Sequence, residues 1–246
     1  MLKVIQSGRG LGLPNLSPAC MEMETWLRMT KIPYEIAPLD MAGAPKGKIP
    51  YIIDDNGVKL GDTSFIIDYL KKTKGVDPDS HLNKVEHAIA HAFRRMIKEH
   101  FYWFVGVCRY NFEENWDVYK RVLAPEWAPP GLSEEQQFAM LEEVRKMIRG
   151  QMHAAGVGRH PQEDALKLAS DDMDAIVAVL GDKPYLMGDK VCTADAALYA
   201  YLANIIDIEG MPSPIKDYGL KQATLVNYCA RMRKQFFPEF DKSHAA

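Results

Sequence analysis

Three short segments of the chain combine residue types that could do chemistry on a small polar molecule. The first is Ser17-Pro18-Ala19-Cys20, a hydroxyl and a thiol three positions apart where the pattern predicts the start of a helix. A helix N-terminus presents unpaired N–H groups and partial positive charge, which favour a thiolate over a thiol, and a hydroxyl there can hydrogen-bond a sulfur anion. Ser17 equally suits plain N-capping, and one residue can serve both roles. The second is Lys48-Ile49-Pro50, with Lys46 just before it. An X-Pro bond is the only kind that adopts cis at small cost, although a proline opening a strand beside solvated lysines accounts for the same triplet. The third is Asp62-Thr63-Ser64. An anion beside hydroxyl and N–H donors at a helix terminus can meet an ammonium and a carboxylate together, and capping is again the simpler reading.

The elements that must position these groups follow from periodicity and turn chemistry. Leu2 to Gln6 reads as a short buried strand followed by a glycine-rich loop, Ser7 to Gly12, then a helix opened by Ser17 and Pro18. Tyr34 to Leu39 predicts a second strand, Pro50 to Ile53 a third, and Asn56-Gly57 a tight hairpin onto Val58 to Leu60. Asp62 and Thr63 then cap a helix, so the order is β-α-β followed by β-β-α. The charged stretch Lys71 to Ser80 reads as a linker, which sets a first domain at 1–72, a linker at 73–80 and an all-helical domain at 81–246. Helices are expected near 81–122, 133–154, 161–181, 193–207 and 215–235, with APEWAPPG breaking the first from the second.

Taken in order and at these spacings, the segments resemble the soluble glutathione transferases. That resemblance implies a thioredoxin-like N-terminal domain joined to an all-helical C-terminal domain, with glutathione as co-substrate. It places Ser17 opposite the glutathione sulfur, makes Pro50 cis so that the Ile49 backbone pairs with the tripeptide, and turns Lys48 toward its glycine carboxylate. Asp62 and Thr63 would take the γ-glutamyl end. Farther on, GDKVCTADAALYAYL resembles the family's capping-box motif, with Asp195 in the acidic position and Cys192 where a hydroxyl is usual. The segments GLPNLSPACMEMETWLRM, KGKIPYIIDDNG, GDTSFIIDYL and EHFYWFVGVCRY look like the branch of the superfamily that holds Failed axon connections and the metaxins. Phe101 to Phe104 are consecutive aromatics on a helix and cannot all face one core. By the same resemblance, Tyr102, Trp103, Arg109 and Tyr110 are candidates for the walls of a pocket holding a small hydrophobic electrophile.

The remaining signals bound the function. A net charge of -3 with 26% charged residues provides no basic field for nucleic acid, and 47% hydrophobic residues suffice for full cores. No apolar run approaches the roughly 20 residues needed to span a bilayer. Four scattered cysteines suit a reducing, cytoplasmic setting. Gly8, Gly10 and Gly12 lack the third glycine of a dinucleotide loop, and His87 and His91 lack the glutamate of HExxH, so no metal is assigned. Cys20 as a redox centre has no partner cysteine at position 17 and ranks low. The expectation is an enzyme in which Ser17 steadies a glutathione thiolate for attack on the electrophile, acting as a homodimer. The alternative is a non-catalytic glutathione-binding or adaptor protein on the same fold.

Overall fold

In the computed structural model, which describes residues 1–241, the first unit is a four-stranded sheet of order β2-β1-β3-β4. β1 (Leu2–Ile5) runs parallel to β2 (Tyr34–Ala37) and antiparallel to β3 (Tyr51–Ile53), and β3 pairs antiparallel with β4 (Lys59–Gly61). The expected hairpin is present. Asp54 Oδ1 accepts the N–H groups of Asn56 and Val58, and Gly57 turns the chain at φ 79, a value only glycine reaches freely. α1 (Pro18–Thr30) and α2 (Thr63–Lys74) pack on the sheet through Met23, Trp26, Leu27, Ile66 and Leu70, which bury against Leu2, Val4 and Ile52. α2 ends at Lys74, two residues past the domain boundary expected at residue 72.

The helical unit is built around α8 (Thr193–Ile206), all of whose residues are buried. α8 also packs on α1, and Trp26 Nε1 donates to Thr193 Oγ1 across the boundary at 3.3 Å. From the linker, Asp79 accepts the Thr193 N–H at 2.6 Å. Asp195 accepts the N–H groups of Cys192 and Leu186, so this helix start keeps its acidic cap although a cysteine holds the N-cap position.

The long helix expected near 81–122 is divided. α3 (Lys84–Met96) passes through a π-turn, Ile97–Phe101, into α4 (Tyr102–Tyr110), and α5 (Glu113–Trp127) begins after a break at Asn111 and Phe112. Side chains cause that break: Asn115 donates to the Cys108 carbonyl at 2.7 Å and Arg145 to the Tyr110 carbonyl at 2.9 Å, occupying acceptors that a continuing helix would use. α5 carries Pro125 within its last turn and so runs into the segment expected to break it. α6 (Glu134–Ala155) and α7 (Gln162–Leu180) follow, and the last expected helix is two, α9 (Pro214–Lys221) and α10 (Ala223–Phe236). No helix among the described residues is long and apolar enough to cross a membrane.

Candidate functional site

Strand register gathers the three sequence segments. Ile5, the last residue of β1, lies opposite Tyr51, the first of β3, and Tyr51 lies opposite Gly61, the last of β4. The loop leading to Ser17, the Ile49-Pro50 turn entering β3 and the Asp62-Thr63 start of α2 therefore leave the sheet at one end. The Ile49-Pro50 bond is cis. Pro50 is buried, Ile49 half-buried, and Lys46 and Lys48 are exposed, with the Lys46 ammonium 4.0 Å from the Phe65 ring centroid.

Ser17 is the N-cap of α1, its hydroxyl accepting the Cys20 N–H at 3.4 Å, and it remains half-exposed between buried Leu16 and Pro18. Its position is set from behind by Asn15, a fully buried residue whose Oδ1 accepts both the Ser17 N–H, at 2.9 Å, and the Ser7 hydroxyl, at 2.8 Å. Asn15 carries a signal that sequence reasoning missed: an Asn two residues before a helix cap forms an Asx turn. Cys20 faces inward. Burial pushes its thiol up to about 11, outweighing the hydroxyls of Ser17 and Ser7 that draw it down, so it stays a neutral thiol.

The intervening loop, Ser7 to Leu16, lies against the helical unit. The Gly8 N–H donates to Glu126 Oε2 at 2.8 Å, the Glu209 N–H to the Leu11 carbonyl at 2.9 Å, and Arg109 to the Leu16 carbonyl.

At the third segment, Asp62 holds φ 75 and ψ 119, a backbone conformation costly for a residue with a side chain, while its carboxylate caps the Ser64 N–H at 2.9 Å. Thr63 points inward. Its hydroxyl donates to Glu22 Oε2 at 2.8 Å and accepts from Lys98. Glu22 is completely buried on α1; burial works to raise its carboxyl, and Lys98 and Arg94 bring it below the usual carboxylate range. Glu22, Arg94 and Lys98 were not anticipated. A charged residue on the inward face of α1 was the available signal, since such a residue requires a partner.

The four candidates on the helical unit lie differently. Tyr102 and Trp103 are half-buried neighbours with ring centroids 5.0 Å apart, and Tyr102 meets Tyr201 edge-on at 6.1 Å. Arg109 is buried and its guanidinium is engaged by the Leu16 carbonyl, the Tyr119 hydroxyl at 3.1 Å and Asn204. Tyr110 is half-buried, packed against Trp116 and Tyr119, and burial of its phenol first of all lifts it well above the ordinary value. Arg109 and Tyr110 thus brace α4 behind Ser17. A cavity of 260 Å³ beside α4, α6 and α7 is lined by Val107, Arg149, His160 and Ala165 and includes none of the candidates.

The "Glutathione S-transferase N-terminal domain" family matches residues 18–115, and the "Glutathione S-transferase, C-terminal domain" family matches 169–232. The chain is 35% identical over 235 residues to an isoprene-epoxide glutathione S-transferase of Rhodococcus sp. (strain AD45), covering 92% of this chain and 94% of that one. It is 28% identical to Failed axon connections of Drosophila melanogaster over 94% of this chain and 56% of that longer protein, and metaxins match at lower identity. In fold it superposes on glutathione transferase GSTFuA3 from Phanerochaete chrysosporium with a TM-score of 0.66, at 16% identity over 96% of this chain and 97% of that one. With its sheet unit and its helical unit in the order of those two domains, the chain belongs to the glutathione S-transferase superfamily, alongside the Failed axon connections and metaxin branch.

Proposed function

We propose that this protein is a serine-type glutathione transferase that conjugates the glutathione thiolate to a small hydrophobic electrophile. The observation that carries the reading is the strand register, which brings the Ser17 helix start, the cis Ile49-Pro50 turn and the Asp62 helix start to one end of the sheet. Glutathione lies along that end. The Ser17 hydroxyl, left with a proton to donate because it accepts from Cys20, hydrogen-bonds the sulfur anion at the positive end of α1. Ile49 pairs with the peptide backbone, Lys48 meets the glycine carboxylate, and Asp62 meets the γ-glutamyl ammonium. The step is nucleophilic addition or substitution: sulfur forms a bond to carbon as a leaving group departs or a strained ring opens. The similarity to an isoprene-epoxide transferase makes small epoxides the first electrophiles to assay. Holding both reactants close and stabilising the thiolate supply the acceleration.

The test is Ser17→Ala, measured for conjugation rate and for glutathione binding by calorimetry. Lost conjugation, on the order of a hundredfold, with nearly unchanged binding is expected, because the hydroxyl acts on the thiolate. Unchanged conjugation removes Ser17 from the chemistry. The relation to Failed axon connections favours a second reading, a glutathione-binding or adaptor protein without turnover, and binding without conjugation of any electrophile by the wild type would select it. Both readings place the protein in the cytoplasm. Both include a two-fold dimer, supported by Phe65, Val85 and Ile89, large apolar residues left exposed on α2 and α3. Light scattering of the purified chain should give twice the chain mass; a monomer removes the dimer.

A further inference from the structure

The cluster behind Thr63 has a charge arrangement that the reading above leaves unused. Glu22 on α1 is the buried carboxylate at its centre, held by Arg94 at 2.9 Å and by Lys98 at 3.1 Å. Two cations thus face one buried anion. Asp68 lies near Arg94 on the surface of α2, and Tyr201 adds a buried neutral phenol. Lys98 is the cation nearest the start of α2. Its ammonium donates to Thr63 Oγ1 and lies 3.5 Å from Ser64 Oγ, with the side chain 10% exposed. It comes from the π-turn between α3 and α4, an irregularity that shifts helical register by one residue and recurs at functional sites.

We propose that Lys98, reaching across the domain boundary, is the specificity residue that selects the α-carboxylate of the γ-glutamyl group; this rests on the glutathione reading. The Thr63 hydroxyl is already spent, donating to Glu22 and accepting from Lys98, so it holds the lock between the units and leaves the Thr63 backbone N–H to face the ligand. Behind that N–H stands Lys98, which shares the single buried carboxylate of Glu22 with Arg94, and next to it in the chain is the exposed carboxylate of Asp62. A positive and a negative group on either side of one helix start match the α-carboxylate and α-ammonium of a γ-glutamyl end, and match neither an acyl chain nor a simple amine. Glu22 and Arg94 keep the lysine in place, since a lone buried ammonium would be unstable.

The experiment titrates two probes into the full-length protein by calorimetry: glutathione, and 4-aminobutyryl-cysteinyl-glycine, which lacks only the α-carboxylate. The wild type should prefer glutathione by on the order of tenfold or more, the effect of one charge-assisted contact. Lys98→Met should reduce that preference to about twofold by weakening glutathione alone, and Lys98→Arg should restore most of it. Lys98→Gln, which keeps a donor for Thr63, serves if Lys98→Met does not fold. Equal weakening toward both probes would make Lys98 structural only and overturn the inference, as would a wild type that binds both equally, which leaves the glutathione reading standing. A wild type that binds neither probe sinks that reading, and this inference with it.

Discussion

The two units contribute to the site in opposite ways. On the sheet unit, the candidate groups are helix caps, turn residues and strand ends: Ser17 and Ile49 are half-exposed, Lys48 and Asp62 are exposed, and Pro50 and Thr63 are buried. On the helical unit, Arg109 is buried against Tyr119 and Asn204, while Tyr110, packed beside Trp116, is half-buried like Tyr102 and Trp103. The difference teaches that the tripeptide side is built from local backbone geometry, whereas the electrophile side is built from packing. Local geometry ties function to a few residues; packing spreads it over many. Losses on the sheet unit should therefore appear in binding or rate, and losses on α4 chiefly in stability.

The largest expected effect breaks the comparison if it fails. Arg109→Ala strips a donor from the Leu16 carbonyl, from Tyr119 and from Asn204 at once, in a place water does not reach. Leaving buried acceptors unpaired costs about 1–3 kcal/mol each, so a loss of several kcal/mol and a much lower thermal midpoint are expected. Because Arg109 also holds the residue next to Ser17, conjugation should fall with stability rather than independently of it. A variant of normal stability with lost conjugation would instead make Arg109 a pocket residue.

The same division decided what could be read in the sequence. The hairpin and the starts of α1, α2 and α8 were legible because each is written in two to four adjacent residues: Asn56-Gly57, Ser17-Pro18, Asp62-Thr63, Asp195 three past its cap. The division of the long helix at Ile97–Phe101 and at Asn111 was not, because its causes lie elsewhere in the chain, in Asn115 and Arg145 and the carbonyls they capture. Glu22 presented only as one of two glutamates on α1, set between Met21 and Met23. Its partners are 72 and 76 residues away, and no local pattern joins them. Arg109 was visible as a cation on an aromatic helix, while its burial depends on the path of the Ser7 to Leu16 loop.

A smaller effect sharpens the comparison from the other side. Asp62 holds its positive φ at a cost of about 1–3 kcal/mol, a conformation glycine adopts without that cost. Glycine is also a serviceable N-cap, giving up only a few tenths of a kcal/mol relative to aspartate. Asp62→Gly should therefore leave thermal stability unchanged or raise it by about 1 kcal/mol. Glutathione affinity should nevertheless fall by on the order of tenfold, because the carboxylate that meets the γ-glutamyl ammonium is gone. Asp62→Asn separates the two contributions: it keeps the cap and a side chain tolerant of positive φ but removes the charge, so it should lose affinity without gaining stability. If Asp62→Gly gained stability and kept full affinity, the strained backbone would have no part in binding, and the sheet unit's share of the site would shrink to Ser17 and the Ile49-Pro50 turn.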